Sequence, residues 1–318
     1  MRNVLLLALG GTIACVPTKR GLAPRLTATD LISAIKVPSG TLVRGVDFLQ
    51  RTIVFPEDWE ALARKICATY DAHDGFVVTL GTDTLAYAAA ALSLALKNLG
   101  KPIVLTGAMR PPHHPQTDAK RNLRDALRVA SERSIGGVLV VFDRAVMRGE
   151  TVSKVWSDSV NAFESIHETP VGFVERGGIT WRKKPRAARN RLRAEPYFET
   201  QVANITLMPQ VKPACLRYSS LKKYRGILVE GYGDGNVPST LVPELQKLAR
   251  TRILVLASQC AYGAVHHRYE GGAALLRSGA LSAVTMTKEM ALAKLMWALG
   301  QSKRNKRVKE IFAAGNDV

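Results

Sequence analysis

The sequence predicts an α/β fold with two domains, the larger of which is built on a parallel sheet. Short apolar runs of strand length alternate with longer segments of helical periodicity, a pattern typical of parallel sheets covered by helices on both faces. Apolar residues make up 47% of the 318 residues and charged residues 22%, as in globular proteins. A basic, proline-containing stretch divides the alternation. We therefore predict an N-terminal α/β catalytic domain over 1–181, an interdomain linker over 182–215 and a C-terminal α/β domain over 216–318.

The first apolar run, residues 4–14, reads VLLLALGGTIA and predicts a buried strand that ends in a tight turn. Gly10 and Gly11 let the backbone bend and allow another group to approach closely. Thr12 then stands at the carboxyl end of the strand, where open parallel sheets place their sites. A secretory signal is the alternative, but the run is short and no small-x-small cleavage site follows it.

The next segments predict a mobile loop and two helices. Residues 15–25 form a loop directly after Thr12, in the position of a lid that excludes water during a reaction. Thr29 or Asp30 is expected to cap a short helix. A longer helix is expected from Pro56 to about residue 70, because Pro56 is followed by two acidic residues that favour a helix start.

A second strand-glycine-threonine turn follows in the chain. The run 76–80 (FVVTL) predicts a buried strand, and Gly81, Thr82 and Asp83 come directly after it, before an alanine-rich helix that ends near residue 98. One interpretation gives Thr82 or Asp83 only the role of helix N-cap. The other places the two threonine turns face to face at neighbouring strand ends.

The remaining elements continue the alternation. The first domain is predicted to contain strands at 103–106 and 137–142, a helix at 118–133, and a segment at 148–156 that carries Lys154. The second domain is predicted to contain strands at 226–230 and 252–257 and helices at 271–278 and 288–299. The glycine-rich turn at 231–236 lacks the residues of a P-loop and the spacing of a dinucleotide fingerprint, which argues against a nucleotide site.

Charge and cysteine usage restrict the classes of function. The net charge is +19, with basic clusters at 182–193 and 303–309, which we interpret as solvated surfaces; binding of RNA is the alternative. The four cysteines are far apart and form no metal-ligand pair, and the His pairs at 113–114 and 266–267 are poor metal candidates. Together these features predict a cytoplasmic protein without structural zinc. No apolar run is long enough for a membrane helix.

Four residues are candidates for catalysis. A threonine hydroxyl is a weak nucleophile until a base takes its proton, and Thr82, Asp83 and Lys154 form such a base system if their strand ends meet Thr12. The non-catalytic alternatives are helix capping for Thr82 or Asp83 and a solvated loop position for Lys154. A Ser-His-Asp enzyme is disfavoured because the sequence has no Gly-x-Ser-x-Gly elbow.

Several motifs, taken together, resemble the bacterial and archaeal L-asparaginase family. The resemblance spans essentially the whole chain and rests on residues 9–14, TLGTDTLAYAAA at 79–90, IVLTGAMR at 103–110 with Asp118 and Asn122, residues 152–154, GYGDGNVP at 231–238 and EMALAKLMWALG at 289–300.

The resemblance implies a flavodoxin-like N-terminal domain, a smaller α/β C-terminal domain, and hydrolysis of L-asparagine to L-aspartate and ammonia through an acyl-enzyme. It implies that Thr12 attacks the side-chain amide, that Thr82 and Lys154 relay the proton, and that Asp83 binds the α-ammonium group. It further implies a homodimer or homotetramer and no metal or organic cofactor. Nucleic acid and a membrane are not expected as partners, because no aromatic residue lies within either basic cluster and no apolar run is long enough to span a membrane. The implied substrate-binding residues are Asp83, Arg51, Gly11, Gly81 and Asn236, the last donated by a neighbouring subunit.

Two positions depart from the family pattern. Leu22 stands where many members have a lid tyrosine. Gln50 and Arg51 stand where the family has Asp-Ser, whose serine holds the substrate's α-carboxylate. Arginine binds a carboxylate in a bidentate manner but is far larger than serine, so we expect Arg51 to decide which amide is accepted. An amidase for a different side-chain or small amide is therefore the alternative function, and an RNA- or tRNA-associated member of the fold is a further one.

Overall fold

The computed structural model describes residues 1–216, 221–266 and 268–315. The chain divides into two compact units, the first extending to Pro196 and the second beginning at Tyr197. The stretch 182–215 that we predicted as a linker is therefore shared between the two units. Its first part packs with the first unit, where a short strand at Arg193–Ala194 pairs with Leu96–Lys97, and its second part contains a strand of the second unit, Val202–Thr206.

The first unit is organised around an eight-stranded sheet. Three two-stranded antiparallel pairs lie outside this main sheet. The strands of the unit are β1 (Arg2–Gly10), β2 (Cys15–Thr18), β3 (Gly21–Pro24), β4 (Thr41–Arg51), β5 (Gly75–Thr79), β6 (Leu96–Lys97), β7 (Pro102–Thr106), β8 (Gly137–Phe142), β9 (Ala145–Arg148), β10 (Val152–Lys154), β11 (Phe163–Ser165), β12 (Gly172–Val174), β13 (Ile179–Trp181) and β14 (Arg193–Ala194).

The parallel part of the main sheet has the strand order β4-β1-β5-β7-β8. Numbered by their sequence among themselves, these strands run 2-1-3-4-5, which is the flavodoxin-like order. The predicted fold is thus confirmed. In such sheets the strand order reverses next to the first strand, and ligands bind outside the carboxyl ends at that point. Here that point lies between β1 and β5, where Ala8 is in register with Thr79.

Four α-helices accompany this sheet in the described part of the unit: α1 (Ala28–Ser33), α2 (Pro56–Thr69), α3 (Thr82–Ala95) and α4 (Ala119–Ala130). The cap of α1 differs from our prediction of Thr29 or Asp30. Thr27 is the N-cap, because its hydroxyl accepts the Asp30 amide while the Asp30 carboxylate accepts the Thr27 amide. This reciprocal capping box satisfies two backbone donors at once, which a lone cap at residue 29 or 30 does not do.

The helices cover both faces of the sheet. Alternate residues of β1, such as Val4 and Leu6, pack in one core with α1 and α4, together with Val77 and Leu123. On the opposite face, the ring of Tyr70 at the end of α2 stacks on Phe76 of β5 at a centroid distance of 5.9 Å. Central strands buried on both faces explain the continuous apolar runs in the sequence. One edge of the sheet is extended by the antiparallel strands β9, β12 and β13.

The second unit is a smaller α/β domain with a four-stranded parallel sheet in the order β15-β16-β17-β18. Two apolar clusters cover the two faces of this sheet, where alternate strand residues point in opposite directions. One cluster contains Leu245 and the other contains Leu295. No helix in the described part of the chain is long and apolar enough to cross a membrane. The elements of this unit are β15 (Val202–Thr206), β16 (Gly226–Gly231), α5 (Val242–Thr251), β17 (Ile253–Ser258), α6 (Glu270–Arg277), β18 (Leu281–Ser282), α7 (Lys288–Gln301) and α8 (Asn305–Ala313).

Candidate active site

The turn after β1 brings the first threonine to the edge of the sheet. Gly10 and Gly11 adopt φ values of 101° and 77°, and a Cβ at Gly11 would collide with the backbone nitrogen of Gly81. Only glycine fits this close approach. The backbone therefore lies directly against the turn after β5, and Thr12 follows as the half-buried first residue of a short 3-10 turn, Thr12–Ala14.

The turn after β5 presents the second threonine and the aspartate. Gly81 is the N-cap of α3 and no side chain caps the helix, so Thr82 and Asp83 occupy its first two helical positions. The non-catalytic alternative given above, in which Thr82 or Asp83 only caps the helix, is thus excluded. Thr82 is 6% exposed, whereas the Asp83 side chain is 71% exposed.

Lys154 joins these two residues. Its Nζ donates to Thr82 Oγ1 at 2.9 Å and to Asp83 Oδ1 at 2.7 Å. The lysine is the last residue of β10, which is held by β11 through the antiparallel pairing of Lys154 with Phe163. Its side chain is only 17% exposed, so Lys154 is not a solvated loop residue, which was the non-catalytic alternative. The structure therefore brings a lysine, a hydroxyl and a carboxylate together beside the Gly11 turn.

The segment after β4 forms another wall of this region. Gly11 N donates to the Arg51 carbonyl at 2.8 Å, and the Thr52 carbonyl packs against the Cα of Gly81. The backbone of Arg51 thus lies beside both glycine turns. Its side chain, however, is 51% exposed, and the guanidinium donates through Nη1 to both carboxylate oxygens of Asp58, at 3.2 and 3.1 Å. No pattern in the sequence indicates this ion pair.

A buried polar pair supports the loop after β7. Asp118 accepts the backbone amides of Met109 and Arg110, each at 2.9 Å, and Asn122 donates to the Gly107 carbonyl at 3.1 Å. A Cβ at Gly107 would lie 3.3 Å from Cγ2 of Thr82, so this loop backs the second threonine. Both polar side chains are almost fully buried. The signal for them in the sequence is their place in the family motif, which does not reveal their supporting role.

The predicted lid is a hairpin formed by β2 and β3, in which Leu22 pairs with Pro17 and is about half exposed. Cys15, at its base, donates its thiol to the Gly11 carbonyl at 3.3 Å. Burial raises the pKa of the Cys15 thiol, which keeps it protonated. The cysteine therefore serves as a structural contact of the turn.

Asn236 lies in the second unit, at the end of the glycine-rich turn after β16. The backbone N–H of Asn236 donates to the backbone carbonyl of Tyr232 at 2.7 Å, and its backbone carbonyl accepts the backbone N–H of Tyr232 at 2.9 Å. These two bonds close the turn. The donation of Asn236 to a neighbouring subunit stays a prediction. Of the two His pairs, His114 accepts the Gln116 amide at 3.1 Å, and His267 lies outside the described residues. Within residues 1–216, 221–266 and 268–315, no cluster of His, Cys, Asp and Glu is arranged to hold a metal ion.

Known proteins match this chain over nearly its full length. Residues 3–187 match the family model "Asparaginase, N-terminal" and residues 201–312 match the "Glutaminase/Asparaginase C-terminal domain". The L-asparaginase of Thermococcus kodakarensis is 38% identical, over 98% of this chain and 96% of the relative. A component of the glutamyl-tRNA(Gln) amidotransferase of Archaeoglobus fulgidus is 33% identical, over 94% of this chain and 75% of the relative.

Solved structures give the same result. The thermostable L-asparaginase from Thermococcus kodakarensis superposes with a TM-score of 0.92 at 37% identity, covering 99% of this chain and 98% of that chain. Fold, site and relatives together define a hydrolase that acts on amide C–N bonds. The chain belongs to the asparaginase family.

Proposed function

We propose that the protein hydrolyses L-asparagine to L-aspartate and ammonia, with Thr12 as the nucleophile. The observation that carries the proposal is the contact of Lys154 Nζ with both Thr82 Oγ1 and Asp83 Oδ1, next to the backbone contact between the Gly11 and Gly81 turns. The L-asparaginases among the relatives support the choice of substrate.

In the first step, the Thr12 hydroxyl attacks the side-chain amide carbon and its proton passes through Thr82 and Lys154 to the leaving nitrogen. The new C–O bond gives a tetrahedral intermediate, whose collapse breaks the C–N bond, leaves the ester on Thr12 and releases ammonia. In the second step, water attacks the ester, and its proton returns to the Thr12 oxygen as aspartate leaves. The N-terminus of α3 carries partial positive charge at this edge of the sheet and suits the oxyanion of each intermediate.

The charged groups of an amino-acid substrate have complementary partners nearby. Asp83, with its exposed carboxylate, suits the α-ammonium group. Arg51 suits the α-carboxylate, because its ion pair with Asp58 uses Nη1 and, among the described residues, leaves Nη2 and Nε for a second anion. This bidentate donor would replace the serine that the family uses.

The test of the nucleophile is ammonia release from asparagine by Thr12→Ala and Thr12→Ser. We expect the alanine variant to lose about four orders of magnitude in kcat/KM and the serine variant to keep part of the activity, because serine retains a hydroxyl. Activity of Thr12→Ala within tenfold of the parent would contradict the assignment. A panel of glutamine, D-asparagine and small amides then tests the alternative substrate class that Arg51 favours.

The proposed assembly is a homodimer or homotetramer in which Asn236 completes the site of a neighbouring subunit. A mixing experiment tests it. Inactive Thr12→Ala and Asn236→Ala subunits, refolded together, should recover about a quarter of the parent activity, because half of the symmetric dimers are mixed and one of their two sites is intact. No recovery would show that each subunit uses its own Asn236. We also propose a cytoplasmic location, supported by four free thiols.

A further inference from the structure

A pocket lined by five arginines lies in the first unit and takes no part in the proposed reaction. Three of the arginines share one face of α4 at helical spacing, one lies in the turn between β8 and β9, and one follows β12. They surround a cavity of about 280 Å³. We call it the arginine pocket, and its basic residues are Arg121, Arg124, Arg128, Arg144 and Arg176.

The acids at this pocket do not balance its positive charge. Arg121 pairs with Asp143 at 2.5 Å, and Arg124 Nε lies 3.8 Å from Asp125. Burial raises the pKa of Asp125, against the lowering effect of four of the arginines around it. The third acid, Glu175, accepts the hydroxyl of Thr180 at 2.8 Å. Five guanidinium groups therefore face three carboxylates.

Three of the arginines, Arg128, Arg144 and Arg176, form no ion pair with an acid among the described residues. Of these, Arg144 and Arg176 are exposed at the rim of the pocket. The guanidinium of Arg128 is held in place by the hydrogen bond that its Nη1 donates to the backbone carbonyl of Glu175, at 3.3 Å. Some guanidinium groups are thus fixed on the walls, while others are available to close on a ligand.

The backbone at Arg144 is held in a conformation that arginine disfavours. Asp143 and Arg144 form the two-residue connection of the β8–β9 hairpin and have φ values of 43° and 71°. Such turns normally place glycine at the second position, and a non-glycine residue there costs roughly 1 kcal/mol or more. The turn is anchored to α4, because the Asp143 amide donates to Asn122 Oδ1 at 3.2 Å. The presence of arginine at this strained position is explained if its guanidinium group binds a ligand.

We propose that the arginine pocket binds a compact phosphate-bearing polyanion of the pyrophosphate type. Guanidinium groups match phosphate oxygens in paired, charge-assisted hydrogen bonds, and two uncompensated charges suit a ligand with at least two negative charges. The cavity lies just below the roughly 300 Å³ at which pockets for drug-sized ligands begin, so it fits a diphosphate group and leaves a nucleoside outside. The pocket stands independently of the reaction at Thr12.

Calorimetric titration with sodium pyrophosphate and with ADP, at constant ionic strength, tests the proposal. Arg144→Gln/Arg176→Gln should bind pyrophosphate at least about tenfold more weakly than the parent, because two charged hydrogen-bond donors are removed. The control is Arg133→Gln/Arg277→Gln, which loses the same charge at two exposed arginines outside the pocket and should bind within about twofold of the parent.

The two probes identify the source of the phosphate. Equal affinities indicate recognition of the diphosphate alone, and tighter binding of ADP indicates a nucleotide whose base rests at the rim. An equal loss in both double variants would overturn the proposal in favour of diffuse charge. So would binding of an RNA oligonucleotide, but not of pyrophosphate, at physiological salt. Thermal unfolding and ammonia release, expected to be unchanged in both variants, verify that the proteins are folded.

Discussion

Arg51 and Asp58 form an ion pair across the start of α2, in which one guanidinium nitrogen contacts both carboxylate oxygens. The carboxylate also accepts the Phe55 amide at 2.9 Å, so Asp58 caps the helix and holds the arginine at the same time. Arg51 is thereby fixed at one end of its side chain, while its backbone lies against the Gly10–Gly11 turn. A large side chain is thereby accommodated directly beside the glycine turn.

We expect Arg51→Ala to raise KM for asparagine by about tenfold or more, with a smaller change in kcat, because a charged contact to the α-carboxylate is lost and alanine supplies no other donor. The measurement is steady-state ammonia release. The control substrate is 3-aminopropanamide, which is asparagine without its α-carboxylate. Its KM should be the same for the parent and the variant. If both substrates change equally, Arg51 acts on the backbone of the site instead of on the carboxylate.

Lys154→Met should lower kcat by about 10² to 10⁴-fold, since the group that receives and returns the Thr12 proton is removed. Lys154→Arg should lower kcat nearly as far, because arginine keeps the charge but does not deprotonate. Lys247→Met, at an exposed pair with Glu244, is the matched control and should retain activity. Full activity of the arginine variant would exclude a proton-transfer role.

Gly11→Ala should destabilise the protein by about 3 kcal/mol or more and abolish activity, because the added methyl group collides with the Gly81 backbone. Gly40→Ala is the control for backbone strain alone. Gly40 also has a positive φ, 76°, but a Cβ there meets no atom within 4 Å, so we expect a loss of only about 1 kcal/mol. Chemical denaturation measures both values, and equal losses would contradict the collision.

The second unit contains a pH-dependent contact at Glu199. Burial acts to raise the pKa of Glu199, but hydrogen bonds from Arg225 and the Gln201 amide, with the charges of Arg225 and Lys303, outweigh it and hold the pKa below its usual value. Because the folded-state pKa lies below that of the unfolded chain, the stabilisation is complete at neutral pH. It is lost as the pH falls through the folded-state pKa.

Glu199→Gln should therefore lower the melting temperature at pH 7, by an amount equivalent to about 1 kcal/mol, and the difference from the parent should disappear as the pH falls through the folded-state pKa. Glu310→Gln is the control, because its pair with Arg307 is exposed on both sides and should contribute little. A difference that persists unchanged in acid would show that the carboxylate charge is not responsible.

The elements that are predictable from the sequence are those whose pattern is local. Strand β8 has the predicted bounds because a continuous apolar run lies between glycine-rich and turn residues. Strand β4 escapes prediction because it lies at the sheet edge and its residues are mostly half-exposed and mixed in polarity. Strand β15 escapes prediction because its short run follows a basic stretch with the composition of a linker.

The candidate site is predictable where strand ends determine it. The two glycine-threonine turns meet as expected, because β5 is the neighbour of β1 and each turn follows its strand directly. Lys154 reaches Thr82 and Asp83 from the end of β10, outside the main sheet. The engagement of Arg51 by Asp58 is not predictable. It depends on the rotamer of a long side chain and on the path of the chain between β4 and α2, for which no periodicity exists. The arginine pocket likewise combines residues from three distant segments.

The contact between Gly11 and Gly81 has a consequence for how this enzyme can diversify. Because backbone atoms alone set the approach of the two turns, no exchange of side chains adjusts the spacing of the two threonines. Variation that preserves hydrolysis is confined to the surroundings, at positions such as Leu22 in the hairpin and Arg51 beside the turn. A directed-evolution library for new amides therefore gains most by randomising those positions and leaving both glycine-threonine turns untouched.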